Sequence, residues 1–191
     1  MIYSQKNNFI FFHIPKTAGT SISNALQAYG DTDFQLENYG WNQHIKPLDF
    51  LQMTDKEMSK LYKFAFVRNP YDRLISLYRF LKGSKSNPTY NFIKSSISYK
   101  DWLFNYYPNS KDRQYHWTHD SADNLLLDHI AKYENIKEEL EFLSDRLQIN
   151  INIGWSNKSF YNDGAHNDSE CISFINELLL KEFQLLNYEK A

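Results

Sequence analysis

The feature that most constrains the fold of this 191-residue chain is an apolar segment that changes abruptly into small and hydroxyl-bearing residues. Residues 9 to 21 read FIFFHIPKTAGTS, and the segment from Asn8 to Ile14 is apolar on both faces of an extended chain. Such a segment is typical of a strand in a parallel sheet, which helices cover on both sides. Residues 20 to 29 then carry apolar side chains at helical spacing, and Gly30 ends that helix.

The same order of elements recurs further along the chain. Residues 63 to 68 (KFAFVR) predict a second buried strand, and Pro70 begins a helix that stops at Gly83. The latter part of 125 to 133 predicts a third strand. Strands that alternate with helices indicate an α/β sheet with parallel strands in one domain, residues 1–191. Further helices are expected at 54–61, where Thr54 opens a capping box, at 90–96, 100–107, from Asn135 to 147, and at 169–186.

Composition excludes several classes of function. The net charge is −2 and no block of Lys or Arg occurs, which argues against a nucleic-acid partner. A single cysteine, Cys171, leaves no internal disulfide. The sequence contains no run of 18 apolar residues, which is the length that would predict a membrane span. If the chain is full length, it is expected to be cytoplasmic.

The turn after the first strand, PKTAGTS, has the chemistry of an anion site. Gly19 is expected to permit a strained backbone, and Thr20 or Ser21 to begin a helix whose first N–H groups point outward. Lys16 adds a positive charge, and the hydroxyl groups of Thr17, Thr20 and Ser21 add donors. The turn resembles a phosphate loop in architecture, but Lys16 precedes the glycine by three residues. No strand-end aspartate that could hold magnesium is evident, which disfavours an ATPase or a nucleotide kinase.

A second candidate anion site follows the second strand, in FVRNPYDRLISLY (66–78). Arg68 ends the strand, and Ser76 lies about 9 Å along the next helix, within reach of an arginine that leans over it. Two anion sites at the carboxyl ends of parallel strands suggest a ligand with two separate anionic groups. The alternative is a surface salt bridge between Arg68 and Asp72.

The two motifs together resemble those of the sulfotransferases that use 3′-phosphoadenosine 5′-phosphosulfate (PAPS). HIPKTAGTS resembles their 5′-phosphosulfate loop, which includes Ala18, and RNPYDRLIS resembles their 3′-phosphate motif. The likeness is greatest to the carbohydrate branch, which includes enzymes that sulfate uronic acids of heparan and dermatan chains and small bacterial members. NQHIKPLDF (42–50), the stretch 125–143, WSNKS (155–159) and the last helix extend the resemblance over most of the chain. With the pattern of elements, it implies a P-loop-like three-layer fold with a central parallel sheet flanked by helices.

The resemblance also implies roles for individual residues. His44 would be the catalytic base, Lys16 would neutralise charge on the leaving phosphate, and residues 16 to 21 would hold the 5′ end of PAPS. Arg68 and Ser76 would bind the 3′-phosphate, assisted by Lys158 and Ser159. His13 is the rival base, although its place in an apolar strand favours a buried structural role. No metal is implied; His116 and His119, with nearby aspartates, are interpreted as a polar loop near the acceptor groove.

The acceptor and the activity itself remain open. A carbohydrate or a small hydroxylated molecule is the expected acceptor, and PAP (adenosine 3′,5′-bisphosphate) the expected product. The alternatives are a non-catalytic protein that binds PAP or PAPS and, with less support, a P-loop-like nucleotide kinase.

Overall fold

The structure is a computed structural model that describes residues 1–31, 44–54, 60–83, 98–153 and 168–191. The described residues group into two compact units. The first comprises the described residues of 1–68 and 114–158, and the second those of 69–113 and 159–191. A single domain over 1–191 remains a prediction.

The first unit is built on a four-stranded sheet in the order β1–β2–β3–β4. The strands are β1 (Ile2–Ser4), β2 (Phe9–Phe12), β3 (Tyr62–Val67) and β4 (His129–Lys132). β2, β3 and β4 are parallel, as the sequence predicts, whereas β1 is antiparallel to β2. The sequence analysis missed β1, because three residues are too short to show a period.

Helices cover both faces of this sheet. One face of the sheet is covered by α1 (Gly19–Leu26) and α5 (Ile136–Leu147). Four phenylalanines of the strands share a buried core with these helices: Phe9, Phe11, Phe64 and Phe66. On the other face Phe12 packs edge-on against Phe50 of α2 (Pro47–Met53), with ring centroids 5.6 Å apart. The four residues of β2 are all buried because the strand is covered on both sides. The predicted α/β fold with a mostly parallel sheet and flanking helices is thereby confirmed.

The second unit is helical in its described part. Its helices are α3 (Pro70–Gly83), α4 (Tyr99–Asn105), α6 (Ser169–Leu178) and α7 (Leu180–Leu185). They enclose a core that includes Leu74, Trp102, Ile175 and Phe183. A buried ion pair joins Arg73 to Asp112 at 2.6 Å, and it satisfies a guanidinium group that would otherwise be costly to bury.

Several predicted element boundaries need correction. The C-terminal helix is not continuous over 169–186 but is interrupted at Leu179. The expected helix at 54–61 lies mostly outside the described residues; Thr54 ends α2, and its hydroxyl group donates to the Phe50 carbonyl. Asn135 precedes α5 as predicted, but its side chain makes no capping hydrogen bond. The helix expected at 90–96 lies outside the described residues.

Candidate functional site

The carboxyl ends of three parallel strands lie at one edge of the sheet. His13 follows β2, Arg68 follows β3 and Tyr133 follows β4. The last pair in the β3–β4 register is Val67 with Lys132, so Arg68 and Tyr133 are the next residues in line. The Arg68 guanidinium carbon lies 4.5 Å from the centroid of the Tyr133 ring. This edge is the place where open α/β sheets bind ligands.

The turn between β2 and α1 has an unusual backbone. Lys16 and Ala18 have positive φ angles of 72° and 63°, whereas Thr17 between them does not. Residues of alternating hand turn successive N–H groups toward one side and form an anion-binding concavity. The left-handed conformation costs a residue with a side chain on the order of 1–3 kcal/mol, and such strain concentrates at functional sites. The strain therefore lies at Lys16 and Ala18 and not at Gly19, where the sequence analysis had placed it.

The amino end of α1 faces this turn. The helix begins at Gly19, one residue earlier than expected, with Ala18 as its N-cap. The first intrahelical bond runs from the Ile22 N–H to the Ala18 carbonyl, so three N–H groups precede it, at residues 19 to 21. No side chain of the described residues caps this end. These donors and the positive end of the helix dipole favour an anion.

The hydroxyl groups of the turn are not equivalent. Thr17 is fully buried, and its Oγ1 donates to the Ile14 carbonyl at 2.9 Å. Its proton is therefore used within the turn, contrary to the expectation for its hydroxyl group, and Thr17 can offer an anion only its N–H. Thr20 is exposed and Ser21 is half-buried, so their hydroxyl groups remain accessible.

Gly19 is required by the imidazole ring of His13. A Cβ at Gly19 would lie 1.9 Å from His13 Cδ2 and 2.2 Å from His13 Nε2. His13 is itself only 5% exposed, so the ring has little room to move. The glycine thus permits a close approach between the strand end and the first turn of α1.

We expect Gly19→Ala to lower the free energy of unfolding by about 1–3 kcal/mol, because the added methyl group overlaps a buried ring. Gly83→Ala is the matched control, since a Cβ there has no neighbour within 4 Å. Chemical denaturation of both variants measures the difference. Equal stability of the two variants would contradict the contact between His13 and Gly19.

The two candidate histidines lie against each other. The ring centroids of His13 and His44 are 4.6 Å apart, and His44 Nδ1 lies 3.0 Å from the His13 backbone oxygen. Because a carbonyl oxygen can only accept, His44 Nδ1 carries the proton and its Nε2 is the basic nitrogen of the neutral ring. Trp117 meets the His44 ring edge-on, with centroids 6.4 Å apart.

The environment of His13 keeps its ring neutral and makes it a poor proton acceptor. Burial contributes most to lowering the pKa of His13 from 6.5 to about 3, and electrostatic interactions with His44, the N-terminal amine and Lys16 lower it further than burial alone would. A group with so low a pKa is a weak proton acceptor at neutral pH.

The backbone of Arg68 is held by two hydrogen bonds, and one nitrogen of its side chain has no hydrogen-bond partner in the part of the chain that the structure describes. The Arg68 N–H donates to Gln114 Oε1 and Gln114 Nε2 donates to the Arg68 carbonyl, both at 2.8 Å. Arg68 Nε is buried and has no hydrogen-bond partner among the described residues. A buried donor of this kind is suited to an anionic acceptor.

Comparison with known proteins places the chain in a family. The model of the sulfotransferase family matches residues 1–188. The chain belongs to the sulfotransferase family. It is therefore a transferase of sulfuryl groups, and the four-stranded, mostly parallel sheet with flanking helices is consistent with the fold of that family. Searches of curated proteins and of solved structures found no match.

Three other predicted site residues lie in the second unit or outside the described residues. Ser76 is half-buried in α3 of the second unit. Lys158 and Ser159 lie outside the described residues. His116 lies in a 3-10 turn, Gln114–Trp117, and His119 Nδ1 contacts the Thr118 hydroxyl group at 2.8 Å. A role of this segment near an acceptor groove remains a prediction.

Two residues that contact Arg68 in the candidate site were not predicted from the sequence. Tyr133 could have been found, because the residue after a third parallel strand must reach the same edge as Arg68. Gln114 gave no signal, since its contact with Arg68 spans 46 residues.

The described part of the sulfotransferase has no helix both long and apolar enough to cross a bilayer.

Proposed function

We propose that this sulfotransferase transfers a sulfuryl group from PAPS to a hydroxyl group of a carbohydrate-type acceptor and releases PAP. The observation that carries the proposal is the buried Nε of Arg68, which has no hydrogen-bond partner among the described residues. Arg68 lies at the same edge of the sheet as the turn between β2 and α1. A donor with phosphate groups at both ends of a nucleoside would supply an anion to each turn.

The 5′ end of the donor is assigned to the turn between β2 and α1. Support comes from the alternating backbone of 16–18, the N–H groups at the start of α1 and the nearby charge of Lys16. The binding residues are Lys16, Thr17, Ala18, Gly19, Thr20 and Ser21. Bound PAPS would supply the sulfuryl group, and Lys16 would neutralise the negative charge that develops on the phosphate oxygen.

The 3′-phosphate is assigned to Arg68. Its guanidinium carbon lies over the Tyr133 ring, and its Nε has no hydrogen-bond partner among the described residues. Ser76, Lys158 and Ser159 are included in this site on the sequence resemblance alone. Recognition of the 3′-phosphate would separate PAPS from nucleotides that lack it.

His44 is assigned the role of general base. Its hydrogen bond to the His13 carbonyl selects the tautomer in which Nε2 accepts a proton, here the proton of the acceptor hydroxyl group. His13 cannot easily replace it, because the pKa of His13 is held at about 3. Nothing in this scheme requires a metal ion.

A carbohydrate acceptor rests on the resemblance to the carbohydrate branch. The alternative is a non-catalytic protein that binds PAP or PAPS. Such a protein would make the same contacts with the donor as an active enzyme, so only an assay of sulfuryl transfer separates the two possibilities.

Calorimetry with PAP, adenosine 5′-phosphate (AMP) and Mg-ATP tests the donor. We expect PAP to bind more tightly than AMP by about tenfold or more, because one charge-assisted contact is worth about 1.5–3 kcal/mol. Tight binding of Mg-ATP without binding of PAP would overturn the proposal in favour of a nucleotide kinase. Binding of PAP without transfer of labelled sulfate from PAPS to any member of a sugar panel would favour the non-catalytic alternative.

A further inference from the structure

Gln114 is a fully buried polar residue that none of the family motifs includes. Its side-chain amide exchanges two hydrogen bonds of 2.8 Å with the backbone N–H and C=O of Arg68. This is the pattern by which one residue of a strand pairs with its neighbour. Arg68 lies one residue beyond the end of β3, so Gln114 extends the pairing to the residue that the strand itself leaves unpaired.

The two hydrogen bonds fix the point from which the Arg68 side chain projects. The Arg68 guanidinium carbon lies over the Tyr133 ring, 4.5 Å from its centroid. The backbone is therefore held by one residue and the guanidinium group contacts another, while Nε stays unpartnered among the described residues. An arginine held in this way loses little conformational freedom when it binds an anion.

Gln114 also begins a short 3-10 turn, Gln114–Trp117, that reaches the other candidate residue. Trp117 at the end of this turn is 5% exposed and lies edge-on to the His44 ring. One four-residue turn thus contacts both the arginine assigned to the donor and the histidine assigned to the acceptor proton.

We propose that Gln114 is a positioning residue for donor binding: by pairing with both backbone groups of Arg68 it directs the guanidinium group toward the 3′-phosphate. This inference rests on the proposed function. It assigns Gln114 no contact with the donor; the residue acts through Arg68. A purely structural role would require only that the two buried backbone groups be satisfied.

The test compares binding of PAP and AMP, which lacks the 3′-phosphate, to the full chain. Gln114→Met keeps the length of the side chain but removes both hydrogen bonds. We expect the affinity for PAP to fall about tenfold, because an Arg68 that is no longer held in place loses more conformational freedom when it binds the 3′-phosphate, with the affinity for AMP unchanged. Gln27→Met, at an exposed glutamine of the same unit, is the control and should change neither affinity.

A double-mutant cycle with Arg68→Ala separates positioning from general destabilisation. If Gln114 acts through Arg68, Gln114→Met should have no further effect on PAP affinity once Arg68 is replaced. Additive losses, or equal losses for PAP and AMP, would overturn the inference.

A second variant serves if Gln114→Met fails to fold. The carboxylate of Gln114→Glu still accepts the Arg68 N–H but cannot donate to the Arg68 carbonyl. Its preference for PAP over AMP should also fall, and an unchanged preference would overturn the inference.

These outcomes are distinct from failure of the proposed function. If the unmodified protein does not bind PAP, the proposed donor is wrong. If it binds PAP in an Arg68-dependent way while the Gln114 variants keep the full preference for PAP, only the role of Gln114 is wrong.

Discussion

Replacement of Arg68 by alanine should weaken PAP binding by about 1.5–3 kcal/mol, or about 10- to 150-fold, and leave AMP binding unchanged. The physical reason is the loss of a charge-assisted contact from a guanidinium group whose buried Nε has no other partner among the described residues. Arg68→Lys should give an intermediate loss, because an ammonium group keeps the charge but cannot present a planar pair of donors. Titration calorimetry of the three proteins with both nucleotides measures these differences.

The chain offers a matched control for Arg68. Arg146 also stacks on a tyrosine, with its guanidinium carbon 4.9 Å from the Tyr62 ring centroid. Tyr62 is the first residue of β3, so this pair lies at the end of the strand opposite to Arg68. Arg146→Ala removes the same kind of contact and should leave PAP binding unchanged. PAP affinity that survives Arg68→Ala, or falls equally in both variants, would remove Arg68 from the donor site.

Replacement of His44 by alanine should reduce transfer of labelled sulfate about 10²- to 10⁴-fold, the usual contribution of a general base, without loss of PAP affinity. The acceptor hydroxyl group would then lose the nitrogen that takes its proton, whereas the turn at 16–21 and Arg68 remain in place. Transfer is measured from PAPS to a panel of sugars, and PAP binding by calorimetry on the same preparations.

His44→Asn distinguishes the base from a structural tie. The amide nitrogen of asparagine can donate to the His13 carbonyl, as His44 Nδ1 does over 3.0 Å, but it provides no basic nitrogen. We therefore expect this variant to be as inactive as His44→Ala. Recovery of transfer in His44→Asn would mean that the contact with His13 matters and proton transfer to His44 does not. Full activity in His44→Ala would exclude His44 from catalysis.

Local sequence patterns predicted the elements that carry the candidate site. Two local signals are enough to predict these elements. Consecutive apolar residues indicate a strand buried on both faces, as in β2 and β3. Proline and glycine mark where a helix begins and ends, as Pro70 and Gly83 do for α3. The C-terminal helix was read less well: the apolar period continues through Leu179, but the helix does not.

The sequence by itself determined that two strands each end in a turn rich in groups that bind anions, and that parallel strands bring such turns to one edge. The tertiary structure decided how those turns are held. The His13 ring requires Gly19, the His13 carbonyl selects the tautomer of His44, and Gln114 and Tyr133 fix Arg68. These contacts join residues up to 65 positions apart (Arg68 and Tyr133), and they depend on strand register and on which side chains fill the space between elements. Hydrophobic periodicity encodes which face of an element is buried, but not which residue it will meet there.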